Sequence, residues 1–328
     1  MQKKIIIKKI SLIIPSKNDF FLLVKILDDM KNWSNLPGEI IIVDSSNNKI
    51  SLKKDFLYFC KKKGISTSII YKKNSFPGKS RNIGVEKSKF RIIAFLDSKT
   101  FPNKNWLKLG LDFLIKSKVM ICWGTTKYIS TSQTSEDIIV ATYGKKPIQT
   151  LPGSIMYKKI FDITGKFVET VRAGEDGDWK SRVYVHKINA RENSSFLNYY
   201  IDNNFNYLDL FKKWIRNYSH TSRLPFFRPH KELYFYFLFI LFLIFLSWNP
   251  YFVRSFEFNN LFIPHLAKTS SFATIIFYIV FRSIILPFKK GVSFYSLFPI
   301  KFIKIFFISL LVDIAKIIAF IKARIIKK

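Results

Sequence analysis

The sequence is short of cysteine and of acid. Two cysteines, Cys60 and Cys122, stand in 328 residues with no Cys-x-x-Cys spacing, which excludes a disulfide framework and a cysteine-built zinc centre. Only 22 Asp and Glu face 54 Lys and Arg, for a formal charge of +32. So basic a chain invites nucleic acid, but zinc-finger spacing, an RNA-recognition sequence and a basic helix with heptads are all missing, and no nucleic-acid partner is expected. Attraction to anionic lipid or phosphate fits the charge better, and an A/T-biased genome would enrich lysine without any functional reason. Met1 to Lys9 alternates Lys and Ile without a small-residue cleavage site, so no secretory leader is expected and the polar part is expected in the cytosol. His186 and His220 stand alone without ligand spacing. Internal repeats and low-complexity linkers are absent. With 48% hydrophobic residues, 35 of them Phe, the chain is not a disordered one.

What is present divides near Arg228. Residues 1–228 hold 41 basic and 19 acidic side chains, and residues 229–328 hold 13 and 3 and are oily throughout. Before that point, short apolar runs alternate with amphipathic stretches. The runs Ser11–Ile14, Glu39–Val43, Thr67–Ile70, Arg91–Leu96 and Val119–Trp123 read as buried strands of a largely parallel sheet. Helices are expected over 20–32, 52–63, 80–87 and 104–116. The polar clusters Ser16–Asp19, Asp44–Asn47 and Asp97–Thr100 each follow the carboxyl end of a strand, the edge where open α/β sheets bind ligands.

Leu233–Trp248 is an apolar run of 16 residues that extends to Val253, near the ~20 residues that cross a bilayer core. A second run covers about 266–288, with Arg282 close enough to Lys289 and Lys290 to snorkel to one interface. Together they read as a transmembrane hairpin with spans about 233–253 and 266–288. Basic flanks at His220–Lys231 and Lys289–Lys290 put the large domain on the cytoplasmic side of the inner membrane. The last apolar stretch carries Lys301, Lys304, Asp313 and Lys316 within half of a helical wheel, so an interfacial amphipathic helix over about 297–322 is expected rather than a third span.

Asp44, the loop Pro77-Gly78-Lys79-Ser80-Arg81-Asn82, Asp97 and the pair Glu175-Asp176 gather carboxylates for a base, ribose or proton with cations for a diphosphate. Singly each has a plainer reading: a strand-end Asp as a loop cap, Pro15 as a strand terminator, Arg81 as a solvated charge, Asp178 as a solvated helix residue. In order, the segments Ser11–Pro15 with Asn18, Glu39–Ser45, Gly78–Gly84, Ile93–Ser98 and Gly174–Asp176 resemble the family 2 glycosyltransferases. The basic aromatic stretch Phe211–Tyr218 looks like the segment before the membrane part of such enzymes. The resemblance covers roughly residues 10–228. It implies a GT-A nucleotide-diphospho-sugar transferase fold, a Rossmann-like mixed α/β sheet over 1–228, followed by a membrane-anchoring region over 229–328.

By that resemblance Pro15 and Asp44 frame the nucleotide base, and Lys79, Arg81 and Asn82 lie beside the donor diphosphate. Asp97 opens the Asp-x-Asp element near ribose or metal, and Asp176 is the general base. Glu175, Trp214 and Arg216 are implied as acceptor contacts or supports, with Trp214 equally readable as an interfacial anchor. One departure stands out: Lys99 occupies the second Asp position. A charged lysine cannot coordinate the Mg²⁺ or Mn²⁺ that bridges the diphosphate in the family. Three outcomes stay open: Asp97 with the diphosphate still holds a divalent cation, Lys99 with Lys79 and Arg81 replaces it, or donor chemistry is lost. The expected function is inverting transfer of a hexose from a nucleotide-sugar to a lipid-linked or other membrane-proximal glycan acceptor in cell-envelope polysaccharide synthesis. The competing readings are a polyprenyl-phosphate sugar synthase and a non-catalytic sugar-nucleotide sensor or scaffold.

Overall fold

The computed structural model describes residues 8–130, 132–192, 197–200, 205–225 and 264–325. Compact packing separates Met1–Ser130 with Pro147–Asp202 from Thr131–Lys146 with Asn203–Lys328. These units do not coincide with the division of charge and hydropathy at Arg228.

In the first unit β1 (Lys8–Ser16), β2 (Pro37–Asp44), β3 (Ser66–Tyr71) and β4 (Ile92–Phe95) pair in parallel in the order β3-β2-β1-β4. The sheet then reverses. β7 (Ile148–Tyr157) is antiparallel to β4, and β6 (Ile121–Ile129) is antiparallel to β7, so the sheet is mixed rather than largely parallel. Beyond them, β9 (Leu197–Tyr200) runs parallel to β6 and antiparallel to β5 (Thr100–Pro102), while β8 (Ala190–Glu192) pairs with β6. Every residue of β2 is buried. That is why it reads as a continuous apolar run: a strand covered on both faces has no reason to alternate.

Alternation along the strands distributes two cores. Leu12, Ile14, Ile40 and Ile42 pack with α1 (Phe20–Asp29), α2 (Lys54–Lys62) and α4 (Trp106–Lys116). Ile13, Ile93 and Phe95 point the other way, toward Val85 of α3 (Pro77–Lys87) and Trp179 of α7 (Glu175–Val185). Helix α3 starts at Pro77, whose fixed φ suits a first turn. It lies so close to β1 that a Cβ on Gly84 would stand 2.3 Å from Ile13 Cγ2.

The second unit is helical. It takes α5 (Gln133–Thr142) from between β6 and β7 and joins it to α8 (Tyr207–Thr221), the helix Pro264–Val280 and the final helix Lys301–Ile325. Ile138, Val140, Leu210, Ile305, Ile308 and Val312 form its core. The expected span 233–253 lies outside the described residues. Within 266–288, the helix Pro264–Val280 continues through a π-turn at Phe281–Ile285 into Leu286–Lys289, and Phe272–Lys289 is long and apolar enough to cross a membrane. Arg282 does not snorkel. Its side chain is 12% exposed and engages Asp313, 2.8 Å from Nε to Oδ2. Three of the four polar residues of the final helix likewise face protein: Asp313 is buried, Lys316 reaches it at 3.1 Å and Lys301 reaches Asp137 at 3.3 Å, whereas Lys304 is exposed. Ile303, Phe307, Ile314, Ile318, Ile321 and Ile325 are exposed instead.

Candidate active site

Parallel pairing brings the ends of β1 and β2 level, Pro15 beside Val43 and Ser16 beside Asp44. Asp44 is buried. Its Oδ1 accepts from Ser46 Oγ at 2.6 Å and Ser46 N at 3.3 Å, while Oδ2 is buried without a partner. Asn18, in the left-handed region at φ +55°, ties the two strand-end loops together: its N–H donates to Ser46 Oγ and its Oδ1 accepts from Asn47 N. An orphan carboxylate oxygen costs free energy unless a donor arrives. The N–H of a nucleotide base is such a donor.

Arg81 is placed by α3 at the centre of a carboxylate bridge. Its Nη1 donates to Glu175 Oε1 at 2.6 Å and its Nη2 to Asp97 Oδ1 at 3.0 Å, with 5% of the side chain exposed. Burial alone would lower its pKa, but Asp97, Glu175 and Asp176 outweigh burial and hold it above its usual value. Glu175 is pushed up to about 7, first by burial and then by the charge of Asp176, with Arg81 opposing. The guanidinium is therefore occupied by protein carboxylates rather than set free for a diphosphate.

Asn82 is structural too. Its Nδ2 donates to the Phe167 carbonyl and to Glu169 Oε1, both at 2.9 Å, and its Oδ1 accepts from Phe167 N at 2.9 Å. The Arg81-Asn82 pair thus fastens the chain before α7 and the first residue of α7 onto α3. Gly174, at φ +90°, makes the left-handed turn into that helix. Asp176 follows in the first turn, half-buried, its Oδ1 accepting from Gly177 N at 2.8 Å. Asp178, read as solvated, instead pairs with Arg182 at 3.0 Å and is 13% exposed, an i,i+4 pair packed beside the Thr164 and Lys166 carbonyls that Arg182 also bonds.

Lys99 turns to Asp19, 3.0 Å from Nζ to Oδ1, and Ser98 Oγ donates to the other oxygen of the same carboxylate at 3.2 Å. Lys79 lies 3.9 Å from Glu169, both partners substantially exposed. For a cation held through paired carboxylates the sequence supplies one, Asp97, with Arg81 on its Oδ1. Among the described residues no group of three His, Cys, Asp or Glu is placed to hold a metal. Lys99, turned to Asp19, adds no ligand to Asp97, so a divalent cation there would depend on the oxygens of the donor diphosphate. Trp214 and Arg216 belong to α8 in the helical unit. There the Trp214 ring lies 5.3 Å from Lys316 Nζ, and Arg216 Nε donates to Asn217 at 3.1 Å.

Two residues of the site had no individual role in the sequence reading: Asp19, which stood only in the polar cluster Ser16–Asp19 and receives Ser98 and Lys99, and Glu169, which receives Asn82 and Lys79. A lysine in place of an acid at position 99 was a signal for a new carboxylate partner. Nothing local pointed to Glu169.

Residues 11–172 match the sequence profile described as Glycosyl transferase family 2. The match takes in Asp44, Arg81, Asn82, Asp97 and Lys99 and ends before Glu175-Asp176. An uncharacterized glycosyltransferase of Rickettsia bellii (strain RML369-C) is 29% identical over 179 residues, 51% of this chain and 25% of that relative. The crystal structure of S. aureus TarS aligns with 77% of this chain and 44% of its own, at 16% identity and a TM-score of 0.41. The chain therefore spans a quarter of the one relative and under half of the other.

Proposed function

We propose, from the premise that this chain belongs to glycosyl transferase family 2 through residues 11–172, that it transfers a hexose from a nucleotide-sugar to a membrane-proximal acceptor with inversion. The observation that carries this is the bridge Glu175–Arg81–Asp97, which fastens the start of α7, and with it Asp176, to the strand-end edge where Asp44 keeps an unpaired oxygen. In this reading Asp44 Oδ2 accepts from the base. Asp176 takes the proton of the acceptor hydroxyl as its oxygen attacks the anomeric carbon, and the bond to the diphosphate breaks on the opposite face. The nucleoside diphosphate leaves with both bonding electrons. Lys79, whose exposed pairing with Glu169 is weak, is free to turn toward the departing charge.

The apolar stretch Phe272–Lys289 and the exposed apolar residues of the final helix support anchoring at the inner membrane, with the sheet domain on its cytoplasmic side. A lipid-linked acceptor follows from that location, and a polyprenyl phosphate fits it equally. The pairing of Lys99 with Asp19 favours, as a second reading, a fold that binds the nucleotide without transfer. The deciding experiment is transfer and hydrolysis with UDP-, GDP- and dTDP-sugars on membrane-embedded protein and on Asp176→Asn. The variant is expected to bind donor as the wild type does and to lose turnover by about 10²-fold or more. Turnover unchanged in Asp176→Asn, or absent from both proteins with donor still bound, would overturn the catalytic reading.

A further inference from the structure

Several cations around the candidate site are committed to acids. Arg81 bridges Glu175 and Asp97, Lys99 meets Asp19, and Arg182 pairs with Asp178. Lys180 is held differently. Its Nζ lies 5.7 Å from the centre of the Trp123 ring and 5.8 Å from that of Tyr184, within the reach of cation–π attraction. Among the described residues it has neither a hydrogen bond nor an ion pair.

Two independent pieces of geometry bring this ammonium to the strand-end edge. Lys180 follows Asp176 by four residues in α7, so the two side chains are neighbours on one face of the helix, with about 5–6 Å between their Cβ atoms. Trp123 supplies the other. Met156 of β7 stands opposite both Ile93 of β4 and Ile121 of β6, and Ile155 stands opposite both Ala94 and Cys122. Phe95 and Trp123 are the next residues on, and both enter the core that holds Trp179 of α7. The Trp123 ring therefore belongs to the end of the sheet at which Asp97 stands. Tyr184, a further turn along α7, is fixed by its hydroxyl, which donates to Gln149 Oε1 at 3.2 Å.

An ammonium has three N–H donors, and ring faces meet its charge without accepting from all of them. Lys180 is half-buried. Burial lowers its pKa, with Glu192 and Asp176 opposing, so a further anion would relieve it. A lysine stem resting on aromatic rings is common by itself. What is particular is its place, one turn from the carboxylate read as taking the acceptor's proton.

We propose that Lys180 is an acceptor-binding residue, taking an anionic group, phosphate or carboxylate, that the acceptor carries beside the hydroxyl deprotonated by Asp176. This role rests on the reading of Asp176 as the base. One helical turn separates the two side chains, which matches the span between a hydroxyl and a charged substituent on the same or the adjoining sugar or polyol unit. The acceptor class is a hydroxyl-bearing anion rather than a neutral glycan.

The test reads binding rather than transfer, in the full chain held in phosphatidylcholine nanodiscs and titrated calorimetrically with glucose 6-phosphate, glucuronate and glucose. At least one anionic probe is expected to bind about tenfold more tightly than glucose, the worth of one charge-assisted hydrogen bond. Lys180→Gln is expected to abolish that preference and Lys180→Arg to keep it. Lys187→Gln, a charge-matched change at an exposed position just beyond α7, is expected to leave it unchanged. A preference confined to glucose 6-phosphate assigns a phosphate, one confined to glucuronate assigns a carboxylate, and a preference for both assigns the charge alone. Glucose bound as tightly as the anions, no binding of any probe, or equal losses in Lys180→Gln and Lys187→Gln overturns the proposal. Lys180→Met, which keeps an apolar stem against the rings, gives the same contrast should Lys180→Gln fail to fold. Asp176→Asn, expected to end turnover, should keep the preference, so the catalytic reading and this one fail separately.

Discussion

Glu175→Gln isolates one carboxyl whose charge the fold tolerates badly. Glu175 is 5% exposed, one of its oxygens is buried without a partner, and its pKa stands at about 7 against an ordinary 4.5. A carboxyl raised on folding binds more protons in the native chain than in the unfolded one, so its ionisation destabilises the fold as pH rises from about 4.5 toward 7, and no further above that. From pH 5 to pH 8 the loss is about 2 to 3 kcal/mol. Glutamine keeps an oxygen for Arg81 Nη1 and carries no charge, so Glu175→Gln should erase this part of the pH dependence and cost little stability at pH 8. The assay is hydrogen exchange at the amides of α7 and α3, in the detergent-held full chain, at pH 5, 6, 7 and 8. Groups that do not interact with Glu175 contribute equally to both proteins and cancel in the comparison. The same pH slope in both proteins, or a variant weaker than wild type by more than about 2 kcal/mol at pH 8, would refute the reasoning. The second result would mean that Arg81 needs an ionised Glu175, as a buried pair broken on one side does.

Gly84→Val forces side-chain atoms into Ile13, 2.3 Å from the new Cβ, and should destabilise the sheet unit by about 1 to 3 kcal/mol in chemical unfolding; an unchanged midpoint would show that α3 can lift off β1. Asp44→Ala removes the acceptor whose Oδ2 is unpaired and should raise donor KM about tenfold with kcat nearly kept; a fall in kcat alone would place Asp44 elsewhere in the reaction. Lys99→Asp takes the ammonium from Asp19 and adds a carboxylate two residues after Asp97. Transfer by the variant should become sensitive to EDTA where wild type is not, and EDTA sensitivity already present in wild type would refute this.

Strand β2 was legible because burial on both faces leaves an uninterrupted apolar run, whereas β3, expected to be buried but exposed or half-buried throughout, was legible from its β-branched Thr and Ile residues. Strands Glu39–Val43 and Thr67–Ile70 fall inside β2 and β3. The reversal at β7 and β6 was not legible, since apolar strands of either direction have the same composition. Asp44, Asp97 and Asp176 could be picked out as acids at strand or helix ends. The roles of Arg81 and Asn82 could not, because their partners Glu175 and Phe167 lie 94 and 85 residues away and no local pattern encodes the pairing. The same holds for Arg282 and Asp313, 31 residues apart. Each alone looks like a charge reaching for water, and only their meeting makes a buried pair.

Helix α5 leaves the β6–β7 connection and supplies Ile138, Val140 and Ala141 to the core of the helical unit, with Asp137 bound to Lys301 and the Thr142 carbonyl to Lys290. The helical unit therefore takes one of its elements from within the stretch of sequence that builds the sheet. Ending the chain near residue 228 would not release a self-sufficient soluble enzyme: it would leave α5 stripped of the helix that covers it, an apolar flap inviting aggregation. A separable sheet unit requires residues 131–146 to be replaced by a short polar turn. During synthesis, too, α5, which ends at Thr142, must wait for a partner helix that begins only at Lys301, so the nascent chain carries an unsatisfied surface until that helix arrives.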